Sequence, residues 1–308
     1  MRNFISVSLT IVVLLFATLV NAQGYTFRVL ANKGDNKVKK AGSGTAVALK
    51  TGATLNANDI LISSSDAYIG LMHKTGKTTE IRGSGTKKVS DIEKQVNVAS
   101  TSVANRYAQF VMNKLNEEEN TNYRARQYAT GAVSRATGSA AINVLAPEQV
   151  EVLEDKTVVR WNAPEGMEEG ETYTVKVRNI FDEVIYETET EKTSVELDFT
   201  AESMQNDAGL YLVKVYKTSD EEIASGEVGI KKVKENDKVE VQESLAALKQ
   251  EVSEDSPLNK LIFASFYEEN GLILDALTKY EEAIKMSPDV DDFQELYQNF
   301  LINNGLAQ

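Results

Sequence analysis

His73 is the one histidine in the chain, and cysteine is absent. Those two facts bound the chemistry within reach. A Ser-His-Asp triad or a histidine metal site would have to use His73, whose side chain type titrates nearest to neutral pH. It stands in "LMHKTG", between a strand pattern and a hairpin signal, and is expected to be an exposed strand-end residue. Without cysteine there is no thiol nucleophile and no thiolate metal site. No G-x-S-x-G, Walker A, H-E-x-x-H or dinucleotide fingerprint occurs. The "GSG" segments at Gly42–Gly44 and Gly83–Gly85 lack the strand-turn-helix setting that cradles phosphate, and read as turns.

Carboxylates are plentiful, so local pairs carry little information. "SPDVDDFQE", Ser287 to Glu295, lacks the glycine and the spacing of a calcium-binding EF-hand loop. Helix N-capping by Asp289 or Asp291 accounts for it, helped by the helix dipole. "EGMEEGE", Glu165 to Glu171, reads as a solvated loop. Glu268-Glu269 and Glu281-Glu282 are expected on exposed helix faces. No catalytic, cofactor-binding or metal-binding residue is assigned.

The net charge of -13 opposes general binding to nucleic acid. The charge is uneven. From Gln23 to Leu115 there are 14 Lys and Arg against 6 Asp and Glu; from Ala140 to Gln308 there are 15 against 37. Internal attraction between a basic front and an acidic back is the simplest reading. A basic patch facing an acidic partner is the sharper one. At the N-terminus, Arg2 precedes the apolar run "IVVLLFATLV", and "VNA" ends before Gln23. This is the pattern of a signal peptide cleaved between Ala22 and Gln23. No other stretch is long and apolar enough to span a bilayer, and no cysteine follows the run to carry a lipid. The expected location is the periplasm, with secretion or peripheral outer-membrane attachment as the other destinations. A secreted chain without disulfides fits a bacterial envelope protein held by its cores.

The elements that must position these residues fall into three groups. Residues 23–95 carry short runs rich in Val, Ile, Leu, Thr and Tyr at intervals of about ten residues, separated by Gly, Asn and Ser turns, as in a small β sandwich or barrel. "VALKTGATLNANDILISSSDAYIGLMHKTGKTTEI" resembles the periplasmic domain of FecR-type sensors. Gly52, Asn58-Asp59, Ala67 to Leu71 and Lys74-Thr75-Gly76 occupy the family's turn and strand positions. Asn58 replaces the commoner Gly and Thr75 the commoner Asp. Only Met1 to Asn3 precede the apolar run, so the family's cytoplasmic anti-sigma segment is not expected.

Residues 96–141 form a helix and linker. Val103, Tyr107, Phe110, Val111 and Leu115 share one helical face. Residues 142–234 return to strands, with seven candidates. Tyr173, Val175 and Val177 alternate with polar neighbours, as do Tyr211, Val213 and Val215, so each set points to a core. Trp161 supplies a large anchor. The segment resembles immunoglobulin-like and fibronectin type III sandwiches, and the absence of a cysteine pair favours the latter.

Residues 237–308 are helical. "LIFASFYEENGLILDALTKYEEAIKMSP", Leu261 to Pro288, resembles one tetratricopeptide repeat (TPR). Phe263, Ala264, Tyr267, Gly271, Ala276, Tyr280, Ala283 and Pro288 occupy its packing, turn and closing positions. Lys260 stands where a Trp is usual. One repeat cannot bury its own apolar face. Helices around Val241–Val252 and Phe293–Leu301 are expected to cap it into a four-helix bundle with a short groove. On this reading residues 237–308 fold alone and 257–287 do not. The fold class is thus multidomain, mainly β then α: two sandwich-like β domains joined by a helical linker, then a small TPR-like helical bundle. The expected function is a non-catalytic envelope scaffold binding a protein or cell-wall polymer through its β domains and the TPR-like groove. A FecR-related signalling or transport-associated sensor is the second reading. An accessory carbohydrate-active protein is the third, because a carboxylate pair suffices for glycoside cleavage.

Overall fold

A computed structural model describes residues 24–96, 102–120 and 142–307, apart from 165, 169, 206, 207 and 235. The signal-peptide pattern and most of the linker lie outside the described residues. The architecture is mostly β over the first two-thirds, followed by a helical region.

The front unit is built of eight strands: β1 (Phe27–Lys33), β2 (Lys37–Lys39), β3 (Ala46–Ala48), β4 (Thr54–Leu55), β5 (Ile60–Ser63), β6 (Tyr68–His73), β7 (Thr78–Arg82) and β8 (Gly85–Lys88). They form two antiparallel sheets, ordered β4-β1-β6-β7 and β3-β2-β5-β8. A short helix, α1 (Val89–Glu93), follows. Strand β6 is buried at all six positions, so it shows no alternation. One face, with Ile69 and Leu71, packs with Phe27 and Val29 over the second sheet. The other, with Tyr68 and Met72, packs with Leu30 and Ala31 against the helices. A bulge in β1 between Val29 and Ala31 lets that strand serve both layers.

The second unit has nine strands: β9 (Asn143–Val144), β10 (Gln149–Val152), β11 (Lys156–Asn162), β12 (Tyr173–Arg178), β13 (Val184–Thr190), β14 (Ser194–Asp198), β15 (Leu210–Lys217), β16 (Asp220–Ala224) and β17 (Val228–Lys232). One sheet runs β10-β17-β15-β12-β13, with β16 also on β15; the other runs β14-β11-β9. Tyr173, Val175 and Val177 of β12 and Tyr211, Val213 and Val215 of β15 are buried. Trp161 on β11 meets Tyr173 edge to face, ring centroids 5.3 Å apart. The Tyr211 hydroxyl donates to the Met204 carbonyl at 2.9 Å.

The helices are α2 (Ser102–Asn120), α3 (Val239–Glu251), α4 (Pro257–Glu269), α5 (Ile273–Met286) and α6 (Asp291–Asn303). Ser256 caps α4 by accepting from the Asn259 amide, with Pro257 at the first position, where its missing N–H costs nothing. Gly271 turns the chain into α5 at φ +73°, a conformation open to glycine. Helix α4 is buried from Leu258 to Tyr267 save Asn259 and Lys260, as expected of a helix with neighbours on every side. Its neighbours are α5 and α2, and β6 at its start. A Cβ on Gly70 of β6 would lie 2.8 Å from the Leu258 side chain, so the bare backbone there admits α4. Gly76, in the β6–β7 turn at φ +91°, leaves room for the Asn105 backbone of α2 in the same way. Helix α5 lies against β10 and β11, and α6 against β1. One continuous apolar core therefore runs from the front unit through the helices into the second unit. No helix among the described residues is long and apolar enough to cross a membrane.

Candidate functional site

The repeat-like residues divide cleanly by burial. Phe263, Ala264, Tyr267, Ala276, Tyr280 and Ala283 are buried. Gly271 and Pro288 lie exposed at the ends of the helical pair. The groove beside α4 is filled by the chain itself. Tyr107 of α2 meets Phe266 edge to face at 5.1 Å. Lys114 pairs with Glu268, and Arg106 with Glu269 at 3.0 Å. Glu268 also accepts from the Tyr280 hydroxyl at 2.8 Å. Glu281 accepts from Arg160 at 2.5 Å and from Tyr297 at 3.2 Å. The expectation of solvated acidic pairs is therefore corrected: three of these four glutamates bind helices to other elements, because their partners come from far along the chain. Glu282 is the fourth. It and Glu254 hold Lys260 at 2.6 and 2.8 Å, and Glu254 also holds Lys279 at 2.5 Å. The lysine in place of the usual Trp thus ties α4 to α5 through charge.

Between α5 and the second unit lies a cleft of ≈ 530 Å³, and it is the strongest candidate site. The β10–β11 loop supplies Glu154 and Asp155; α5 supplies Asp275, Thr278, Lys279 and Glu282; the far wall is Lys156, Glu196, Asp198 and Thr200. Asp275 is buried and its Oδ2 accepts from the Leu153 amide at 3.0 Å. Burial pushes its pKa up to about 7, with the Glu154 charge adding to the shift. Burial acts the same way on Glu154, but hydrogen bonds from the Tyr267 hydroxyl at 2.5 Å and Lys249 at 2.9 Å outweigh it and hold that carboxyl below its ordinary value. Thr157 sits in the wall with its hydroxyl buried and unpartnered. Two carboxyls with separated pKa values suit acid-base work where substrate can reach both. Here Asp275 is 4% exposed and committed to a backbone amide. The arrangement is a polar seam that latches the second unit to α5, and its open part is lined by charged side chains. Sequence reading missed Asp275: its only signal was an acid among the apolar positions of a helix.

His73 is not at an exposed strand end. It is 1% exposed, because it shares the β6 face of Ile69 and Leu71, where Phe27 and Glu93 of α1 cover it. Nδ1 lies 2.8 Å from the Thr75 hydroxyl, Nε2 lies 3.3 Å from Glu93, and the ring packs edge to face on Phe27 at 5.2 Å. The capping role expected for Asp289 or Asp291 is also corrected. The residue before α6 is Val290, with no side-chain cap. Asp289 pairs with Lys33. Asp292 accepts from the Asn32 amide at 2.9 Å and the Thr51 hydroxyl at 3.2 Å. Docking to β1 takes Asp289, one of the two carboxylates that local pattern assigns to a cap, while Asp291 stands in the first turn of α6. Among the described residues no group of three or more His, Cys, Asp or Glu is placed to hold a metal.

No protein-family model matches the chain, no curated protein matches it, and no solved structure matches it.

Proposed function

We propose that the protein is a non-catalytic scaffold of the bacterial envelope, exported after cleavage between Ala22 and Gln23. In this reading the front unit is a FecR-like β domain, the second a fibronectin type III-like sandwich, and the helices a TPR-like unit. The Tyr211 hydroxyl bonded to an upstream backbone carbonyl supports the sandwich assignment, as a tyrosine corner does in such folds. The observation that carries the function is the use made of the helices. Their apolar faces and the groove beside α4 are consumed inside the molecule, by α2 on one side and by a β unit at each end. The helical unit therefore serves as a hub that fixes two β units, and partner contact falls to the β surfaces and the polar cleft. This narrows the binding surface from the β domains and the repeat groove, between which the sequence alone does not decide, to the β units and the polar cleft.

The test is capture from envelope extracts with the full exported chain as bait, beside one cleft variant and one variant of the buried core. Lys156→Glu alters the cleft wall and Phe266→Ala loosens the hub. A reproducible partner that is retained by the second variant when folded, and weakened by the first, supports a binding role at the cleft. Recovery of no reproducible partner contradicts the scaffold reading.

A further inference from the structure

Six large apolar side chains are exposed among the described residues, and three of them, Ile180, Phe181 and Val184, stand together at the β12–β13 hairpin. Phe181 is 76% exposed. The turn that presents it is fixed. The Asn179 side-chain oxygen accepts from the Phe181 amide at 2.9 Å and the Glu183 amide at 3.1 Å. Arg178 pairs with Asp182 and Glu227. A turn held this way loses little backbone freedom on docking. Its surroundings are acidic: Asp182 and Glu183 lie in the turn, and Glu187 and Glu189 are exposed along β13, the edge strand of its sheet.

The front unit carries the complement. In the sheet β3-β2-β5-β8, register places Ala46, Lys39, Ile60 and Lys88 side by side in one row. Ala48, Lys37, Ile62 and Thr86 form the other row on that face. The row between them turns Val38 and Leu61 inward, both buried. The outward face is thus a half-buried Ile60–Ile62 floor set among lysines. Lys39 and Lys88 form no salt bridge with any described residue. Basic front and acidic back already attract within one chain, in the Lys114–Glu268 and Arg106–Glu269 pairs.

We propose that the Phe181 hairpin of one copy docks on the Lys37–Lys39–Lys88 face of a second copy. The two surfaces are different, so the contact is head-to-tail and each copy keeps one free end, which allows extension into a chain. A second copy is the occupant argued from the chain itself, which carries both the acidic apolar hairpin and the lysine-rich face with an apolar floor. This inference does not rest on the scaffold reading, which concerns other partners.

Sedimentation velocity of the chain from Gln23 onward, which contains every described residue, tests it. The weight-average mass should rise from one chain to several between about 1 and about 100 μM, and fall back in high salt. Phe181→Asp alone, and Lys39→Glu with Lys88→Glu, should each give monomers whose circular dichroism and melting temperature match the wild type, since all three sites are exposed or partly exposed. Mixing the two variants should give a one-to-one dimer that does not grow, because each retains one working surface. A wild type that stays monomeric overturns the proposal, whether or not the lysine face binds an anionic polysaccharide. So does a mixture that forms no dimer.

Discussion

Asp275 gives the residue scale its sharpest consequence. Its carboxyl is pushed up to about 7 by burial, from 3.8. The folded state therefore keeps a proton that the unfolded chain releases across that interval. Stability from this group is full below the unfolded value and is lost as pH rises through the folded one, at up to ~1.4 kcal/mol per pH unit. Asp292, also raised by burial, adds a slope of the same sign. Asp275→Asn keeps an acceptor for the Leu153 amide and removes the titration. Urea unfolding at about pH 5 and about pH 8 should show the variant losing less stability than the wild type between them, by ~1 to 3 kcal/mol, and being the more stable protein at the higher pH. Identical slopes would remove Asp275 from the account. His73 shows why residue chemistry was hard to read beforehand. "YIGLMH" is a short apolar run, and no local pattern reveals that Phe27 of β1 and Glu93 of α1 cover the histidine at its end. Asp289 was misread for the same reason: its partner, Lys33, comes from the front unit.

At the scale of elements, β10, β11 and β15 of the second unit were legible because burial alternates along each of them. Tyr173, Val175 and Val177 alternate with polar residues, and that alternation is a direct image of the sheet. The helix pair from Leu261 to Met286 was legible through its small and aromatic positions. What the pattern does not encode is the partner of each face. Helix α2, separated from α4 by an entire β unit, supplies Tyr107 to Phe266. The Ala104 amide donates to Glu251 of α3 at 2.8 Å. This changes the expectation for the fragments. Residues 237–308 lack α2, β10, β11 and β6, and would expose Phe266, Leu258 and Phe293. Circular dichroism should show weak, non-cooperative helix melting for that fragment, and for 257–287 as well. Cooperative melting of residues 237–308 alone would return the helices to the status of an independent bundle.

The whole molecule is organised by its charge asymmetry and by the hub. The basic front contributes Lys33, Arg82, Arg106 and Lys114 to contacts with Asp289, Ser287, Glu269 and Glu268. The second unit is tied to the same helices through Arg160 to Glu281 and Leu153 to Asp275. Exposed pairs such as Lys33–Asp289 add little each, so the contact between the units rests mainly on the shared apolar core. The chain has no cysteine, which makes the direct measurement clean. Spin labels on Lys87→Cys in the front unit and Glu191→Cys in the second, diluted with unlabelled protein, report the distance between the two β units by pulsed electron resonance. A hub that fixes them gives one narrow distribution, unchanged at about 0.5 M salt, where exposed ion pairs are screened. A broad distribution, or one that spreads with salt, would mean that the β units move independently and that the helices are only a linker.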